Sequence, residues 1–195
     1  MNSIVNRKLG KLTFRPLIPE RWRDFEHLFS EHGVQNGCWC MFWRTRRVDY
    51  QHNYGEGNKL AFKAILENGK VPGILAYQGE NAAAWCSIAP RETYPALERS
   101  RTLKRIDDQP VWSIVCFYIS QAYQGQGLTE CLILAAIDYA QSNGVRIVES
   151  YPLKTEIAKK LPYERYMGIQ STYEKLGFQV VARRSERRLV MRNII

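Results

Sequence analysis

The sequence predicts a mixed α/β sheet fold, and three observations carry that reading. The β-branched and aromatic run Val111 to Ile119 reads as a strand buried on both faces, which belongs in the middle of a sheet. A short glycine-bearing stretch joins it to the best helical pattern in the chain, Leu128 to Ser142, where Leu128, Leu132, Ala135, Ala136 and Tyr139 share one side. Short strand-like runs also come in neighbouring pairs around polar turns, at 73–78 with 82–89 and at 178–182 with 188–191. Strand pairs with helices interleaved make a mixed sheet.

The elements follow in order. Leu12 and Phe14 alternate with Thr13 and Arg15, so 11–17 is a short strand ended by Pro16. Pro19 opens a helix over 20–30, with Trp22, Phe25, Leu28 and Phe29 at helical spacing. The stretch 33–54 is irregular and aromatic, and a second helix over 58–67 is closed by Asn68-Gly69. The two strands at 73–78 and 82–89 enclose the turn Gly79-Glu80-Asn81. A polar connection over 91–110 carries one helical turn near Ala96, and Asn143-Gly144 stops the long helix. A strand over 145–151 ends at Pro152; 154–162 is basic and without a clear period. A short helix over 168–176 and the last strand pair complete the chain.

Composition bounds what such a chain can be. At 195 residues, 45% hydrophobic and 24% charged, it reads as one domain, 1–195, with its core over 11–192. Folding hides about 70% of the extended surface at this length, so disorder is excluded for the bulk. Lys plus Arg outnumber Asp plus Glu by 28 to 19, a net charge of +9 that favours anionic partners. The cations are scattered, no nucleic-acid module is visible, and no nucleic-acid partner is expected. No apolar run approaches the ~18 residues of a membrane span, and no leader pattern opens the chain. A cytoplasmic protein without a membrane partner is the expectation. The five cysteines are an odd number and read as reduced thiols.

The stretch Gln124-Gly125-Gln126-Gly127-Leu128-Thr129 carries the chemistry. A strand, a glycine turn and a helix start aim free N–H groups and the positive helix end at one point. Such a point binds phosphate. A dinucleotide fingerprint would need glycine where Glu130 stands, and a P-loop would need Gly-Lys-Ser/Thr. A bare Gly-x-Gly leaves phosphate binding and plain turn geometry both open.

The chain resembles the GCN5-related N-acetyltransferases, whose cofactor turn reads Gln/Arg-x-x-Gly-x-Gly/Ala between a central strand and a long helix. Here Gln124 to Thr129 takes that place, with Thr129 a departure at the final small position. The family's second signature, aromatic-Glu-Lys-x-Gly-Phe, is similar to Tyr173-Glu174-Lys175-Leu176-Gly177-Phe178. The two signatures occur in order, and the likeness runs from Lys11 to Arg192. The segments 37–44 and 85–91 look like those of a bacterial subgroup.

The resemblance implies a mostly antiparallel sheet flanked by helices, and acetyl-coenzyme A as acyl donor. It places the diphosphate on the amides of Gln124, Gly125, Gln126, Gly127, Leu128 and Thr129. The pantetheine arm would then run along Phe117, Tyr118 and Ile119, where a backbone N–H near Tyr118 stabilises the oxyanion. Tyr173 takes the position of the general acid that protonates the leaving thiolate. The acceptor is a primary amine of a small molecule or peptide. An amine near pKa 10.4 is only ~0.04% neutral at pH 7, so a base must take its proton. Many members carry a Glu in the central strand, where this chain has Val115 and Cys116. Glu149 on the next strand is the expected substitute, against a salt bridge to Arg146 or a C-terminal Arg.

The aromatic stretch falls where this family builds its acceptor pocket. Trp39, Phe42 and Trp43 are expected to form an apolar wall, with Arg44 binding an acidic group, against a satellite core under a long loop. Cys38 and Cys40, with His27, His32 and His52, raise the question of zinc, but Cys-x-Cys is tighter than structural zinc spacing and no metal is expected. A covalent route through Cys116 or Cys86 competes with direct transfer. The rival functions are a non-catalytic acyl-coenzyme A sensor, a nucleic-acid module, and transfer to oxygen or from a longer acyl donor. The closing strands could pair between chains as a homodimer.

Overall fold

The computed structural model describes residues 3–30 and 37–195. The chain runs β1 (Ser3–Asn6), β2 (Gly10–Pro16), α1 (Trp22–Ser30), α2 (Arg47–His52), α3 (Glu56–Glu67), β3 (Gly73–Gln78) and β4 (Asn81–Pro90). It continues through α4 (Pro95–Glu98), β5 (Trp112–Ile119), α5 (Leu128–Ser142), β6 (Ile147–Ser150), α6 (Thr155–Lys160), α7 (Gln170–Lys175), β7 (Gln179–Ala182) and β8 (Val190–Ile194). The eight strands among the described residues form one sheet in the order β1-β2-β3-β4-β5-β6-β8-β7, antiparallel except for β5 with β6. This is the mixed, mostly antiparallel sheet expected, with β5 in its interior.

Three elements went unread in the sequence. β1 has only half-buried and exposed residues and owes its existence to pairing with β2, before the expected core begins. α2 buries no residue, so no apolar period announces it. α6 buries only Ala158 and carries Lys159 and Lys160 in its last turn, where cations suit the helix dipole.

Each face of the sheet carries its own core. Ile74 and Ala76 of β3 and Ala84, Cys86 and Ile88 of β4 pack under α5, while Leu75, Tyr77 and Trp85 pack under α1 and α3 with Phe25 and Phe62. A bulge breaks this alternation in β5. Ser87 pairs with Cys116 but Ile88 pairs with Ile114, so Val115 is an extra residue. Ile114 and Phe117 therefore both face α5, and Cys116 and Tyr118 turn to the opposite side. That single inserted residue aims the side chains at the site described next.

Candidate active site

The site is built on the parallel pair. β6 pairs with β5 only from Trp112↔Val148 to Ile114↔Ser150, and then the chain leaves through Tyr151 and Pro152. On its other side β5 stays paired to β4 as far as Ile119↔Ala84. Among the described residues, no strand pairs with β5 on the β6 side beyond Ile114. The gap is a cleft of about 980 Å³. Cys116, Phe117, Tyr118 and Ile119 form one wall, and Tyr163, Tyr166, Gly168, Ile169 and Thr172 the other. An extended ligand can lie along such an edge as an added strand.

The glycine turn closes one end. Gly125 and Gly127 have φ of 70° and 81°, where a side chain would be strained, and Gly127 caps α5 without any side-chain cap. Among the described residues, the N–H groups of Gly125, Gln126 and Gly127 donate to no protein acceptor, and the first N–H groups of α5 have none within the helix. Gln124 and Thr129 reach the cleft, whereas the Leu128 side chain is core and only its amide is available. The turn is held from outside. Gln124 Nε2 donates to Ile119 O at 3.0 Å, Gln126 Nε2 to Ala122 O at 2.9 Å, and Asn6 Nδ2 to Gln126 O at 2.9 Å. Asn6 was invisible to sequence reasoning, because only the pairing of β1 brings it 120 residues along the chain to the turn.

The aromatic segment divides between two roles. Phe42 and Trp43 line the cleft with Tyr50 and Tyr54, as the apolar wall requires. Trp39 instead stacks on Trp22 and Phe29 with ring centroids 6.3 and 5.8 Å apart, half-buried against the core under α1. Arg44 does not line the cleft either. Its Nη2 donates to Pro72 O at 2.8 Å, Ser87 Oγ at 3.1 Å and Tyr94 OH at 3.0 Å, and its guanidinium stacks 4.5 Å over the Tyr94 ring. That pins the aromatic segment to the sheet and corrects the expected role in binding an acidic group. Residues 33–36 of the segment, and His32 among the metal candidates, lie outside the described residues. Among the described residues no group of three or more His, Cys, Asp or Glu could hold a metal.

Tyr173 sits one layer below the cleft floor. Its ring packs so closely behind Gly168 that a Cβ there would come within 2.7 Å of Cε2, and Gly168 has φ of 82°. The Tyr173 hydroxyl is buried and absent from the cleft lining; burial pushes its pKa well above the usual phenol value, with Ser150 acting against that rise.

Glu149 is placed otherwise than expected. It is 1% exposed and absent from the cleft lining. Its Oε1 accepts from Arg91 Nη1 at 2.8 Å and Tyr151 OH at 2.5 Å, and its Oε2 from Arg192 Nε at 2.8 Å. Arg91 continues to Glu98 and Leu103 O, and Arg192 to both oxygens of Asp107. Glu149 is opposite Ser113, five residues before Tyr118, about 16 Å at the usual strand rise. The geometry corrects the general-base expectation. Glu149 is the hub of an ion network that ties the polar 91–110 connection to β6 and β8, with Arg192 the C-terminal partner of the salt-bridge alternative.

The thiols cluster where no sequence spacing brings them. Cys38, Cys40 and Cys116 all line the cleft, and all five cysteines are free. Trp85 Nε1 donates to Cys40 Sγ at 3.1 Å. Trp39 and Cys40 have φ of 44° and 54°, a left-handed backbone that costs about 1–2 kcal/mol per residue without glycine. Asp, Glu and His are missing from the described lining; its charged residue is Arg165, whose Nε donates to Ala158 O at 2.7 Å.

An unpaired strand edge running to a turn of free amides suits an elongated ligand with an anionic head and a reactive group carried along the strand. The chain belongs to the Acetyltransferase (GNAT) family, whose sequence profile matches residues 34–178. It is similar in structure to a GNAT-family acetyltransferase from Listeria monocytogenes, with a TM-score of 0.63 and 14% identity over 100% of both chains. PaiA N-acetyltransferase from Thermoplasma acidophilum, in complex with coenzyme A, matches with a TM-score of 0.52 and 13% identity over 94% of this chain and 99% of that one. YncA from Salmonella typhimurium, with its cofactor acetyl-CoA, matches with a TM-score of 0.51 and 17% identity over 94% of this chain and 93% of that one. These likenesses establish the fold. A search of curated proteins finds no match. No helix among the described residues is long and apolar enough to cross a membrane.

Proposed function

We propose that the chain transfers an acetyl group from acetyl-CoA directly to a primary amine. One observation carries the reading: the open edge of β5 and the free amides of the Gly125–Gly127 turn meet in a single cleft. The residues present fit the coenzyme, because the turn offers N–H donors to a diphosphate and the strand edge offers main-chain partners to an amide-bearing arm. When bound, the coenzyme supplies an acetyl thioester. Structures of similar fold that hold coenzyme A or acetyl-CoA support the choice.

The chain's own groups then have distinct tasks. The amides of Gly125 to Thr129 hold the phosphates, the Gln124 N–H being already given to Gln121 O at 3.3 Å. A main-chain N–H between Phe117 and Ile119 stabilises negative charge on the thioester oxygen, and in most acyl transfers such stabilisation outweighs every other catalytic effect. Tyr173 gives a proton to the leaving thiolate. Its raised pKa keeps that proton on the ring at all working pH. Phe42, Trp43, Tyr50 and Tyr54 suit an amine with an apolar body.

Calorimetry with coenzyme A tests the grip, with heat of binding expected and its absence at millimolar coenzyme refuting it. An amine panel incubated with acetyl-CoA and read by mass tests transfer. The lack of a carboxylate or imidazole in the described lining favours a second reading, a non-catalytic acyl-CoA sensor. Coenzyme binding with no acetylated amine would establish that one.

A further inference from the structure

The cleft holds thiols where a base is required, and their arrangement is specific. Cys116 is turned toward the cleft by the bulge at Val115, and it lines the same cleft as Cys40. Cys40 sulfur accepts the indole N–H of Trp85 at 3.1 Å, and Arg44 lies close enough to act on it electrostatically. One sulfur in the cleft wall thus holds an indole N–H, with a second thiol lining the same cleft. The backbone that delivers that sulfur is held in the left-handed region at Trp39 and Cys40, against its intrinsic preference.

We propose that Cys40 and Cys116 form a thiolate–thiol pair that accepts the ammonium proton of the acceptor. This rests on the acetyl-transfer reading above and names the base that it lacks. The step balances. An N–H bond of the ammonium breaks as an S–H bond forms on Cys116. The proton formerly on Cys116 passes to Cys40. The free amine then attacks the acetyl carbon, the C–S bond breaks as Tyr173 protonates the leaving thiolate, the second amine proton restores Tyr173, and Cys40 returns its proton to solvent.

The electrostatics agree with the geometry. The Cys116 thiol holds the Cys40 thiol below its usual range against the effect of burial, with Trp85 and Arg44 adding to it. The same pairing, together with burial, pushes Cys116 well above that range. The other titratable groups around the pair are Cys38, Tyr50 and Tyr166 on the cleft side, with Cys86 and Tyr94 behind it. Burial raises all five, so they stay neutral and do not compete for the charge. Among the described lining residues, no carboxylate or imidazole offers another acceptor.

Thiolate absorbance of the ligand-free protein, followed over pH, tests the pair without any acceptor. One thiolate equivalent is expected to titrate below the free-cysteine value of about 8.5. It should vanish in Cys40→Ser and move upward in Cys116→Ala, which removes the donor. In the amine panel, Cys40→Ser should lower transfer at pH 7 by about 10²-fold or more, with the loss shrinking as pH rises and coenzyme affinity unchanged. Cys40 titrating as an ordinary thiol, or Cys40→Ser with wild-type turnover, overturns the proposal. So does an acetyl adduct on either cysteine after acetyl-CoA alone, which would make the pair a covalent carrier. A wild type that binds no coenzyme fails the underlying acetyl-transfer reading instead, and calorimetry separates the two.

Discussion

Replacing Glu149 by Gln removes the one negative charge shared by Arg91 and Arg192 while keeping the side chain's shape. Arg91 is 2% exposed, so its charge cannot turn to water. Breaking a buried pair by neutralising one partner costs about 3–5 kcal/mol, because the other charge is stranded. Gln still offers one oxygen, but its amide must face either an arginine or the Tyr151 hydroxyl. Glu98 and Asp107 retain their bonds to the two arginines, so the lower end, about 3 kcal/mol, is expected. A domain of this length loses about 2–4 °C of melting temperature per kcal/mol, so Glu149→Gln should melt about 6–12 °C lower. Thermal unfolding by circular dichroism reads this directly. A double-mutant cycle with Arg192→Gln should give a coupling of about 1–3 kcal/mol. Coenzyme affinity and the pH profile of turnover should not move, since Glu149 and the cleft are served by different parts of β5. Unchanged melting, with activity lost at pH 7 and restored at high pH, would refute this reasoning and return Glu149 to the role of base.

Tyr173→Phe should keep coenzyme binding in calorimetry and lose most turnover; equal turnover at saturating substrate would remove the proton-donor role. Gly168→Ala places a methyl within 2.7 Å of the Tyr173 ring at a positive φ, so a loss of about 1–3 kcal/mol in urea unfolding is expected. Gly73→Ala should be worse, because the new Cβ collides with the Cys86 carbonyl oxygen and meets the Trp85 ring at 2.6 Å; a soluble variant of wild-type stability would contradict the close approach of β3 and β4. Hydrogen bonds from Arg192 hold the Asp107 carboxyl below the usual range, so its folded pKa is lower than its unfolded one. Its contribution is present above about pH 4 and is lost as pH falls through the lower folded value. Urea midpoints between pH 7 and 3 should therefore fall less steeply in Asp107→Asn.

Local pattern determined much of this protein. The spacing of Leu128 to Tyr139 fixes α5, whose ends match the reading residue for residue, because that helix buries an apolar side on the sheet. The β-branched run at 111–119 identifies the interior strand, and the two glycines after it mark a turn that only positive φ can make. Elements that bury little, such as β1 and α2, leave no period to read. The roles of individual polar side chains were not legible either. Glu149 looked like a candidate base because a carboxylate in an apolar strand needs a partner, but its partners Arg91 and Arg192 stand 58 and 43 residues away. Arg44 and Trp39 sit beside cleft-lining residues in the chain yet, half-buried, make their contacts outside the cleft lining. Whether a side chain faces the cleft or the core is set by the pairing register and, in β5, by one bulged residue. Trp39, Phe42 and Trp43 lie outside every strand, so only the tertiary structure decided which of them line the cleft and brought Cys40 and Cys116 to it together.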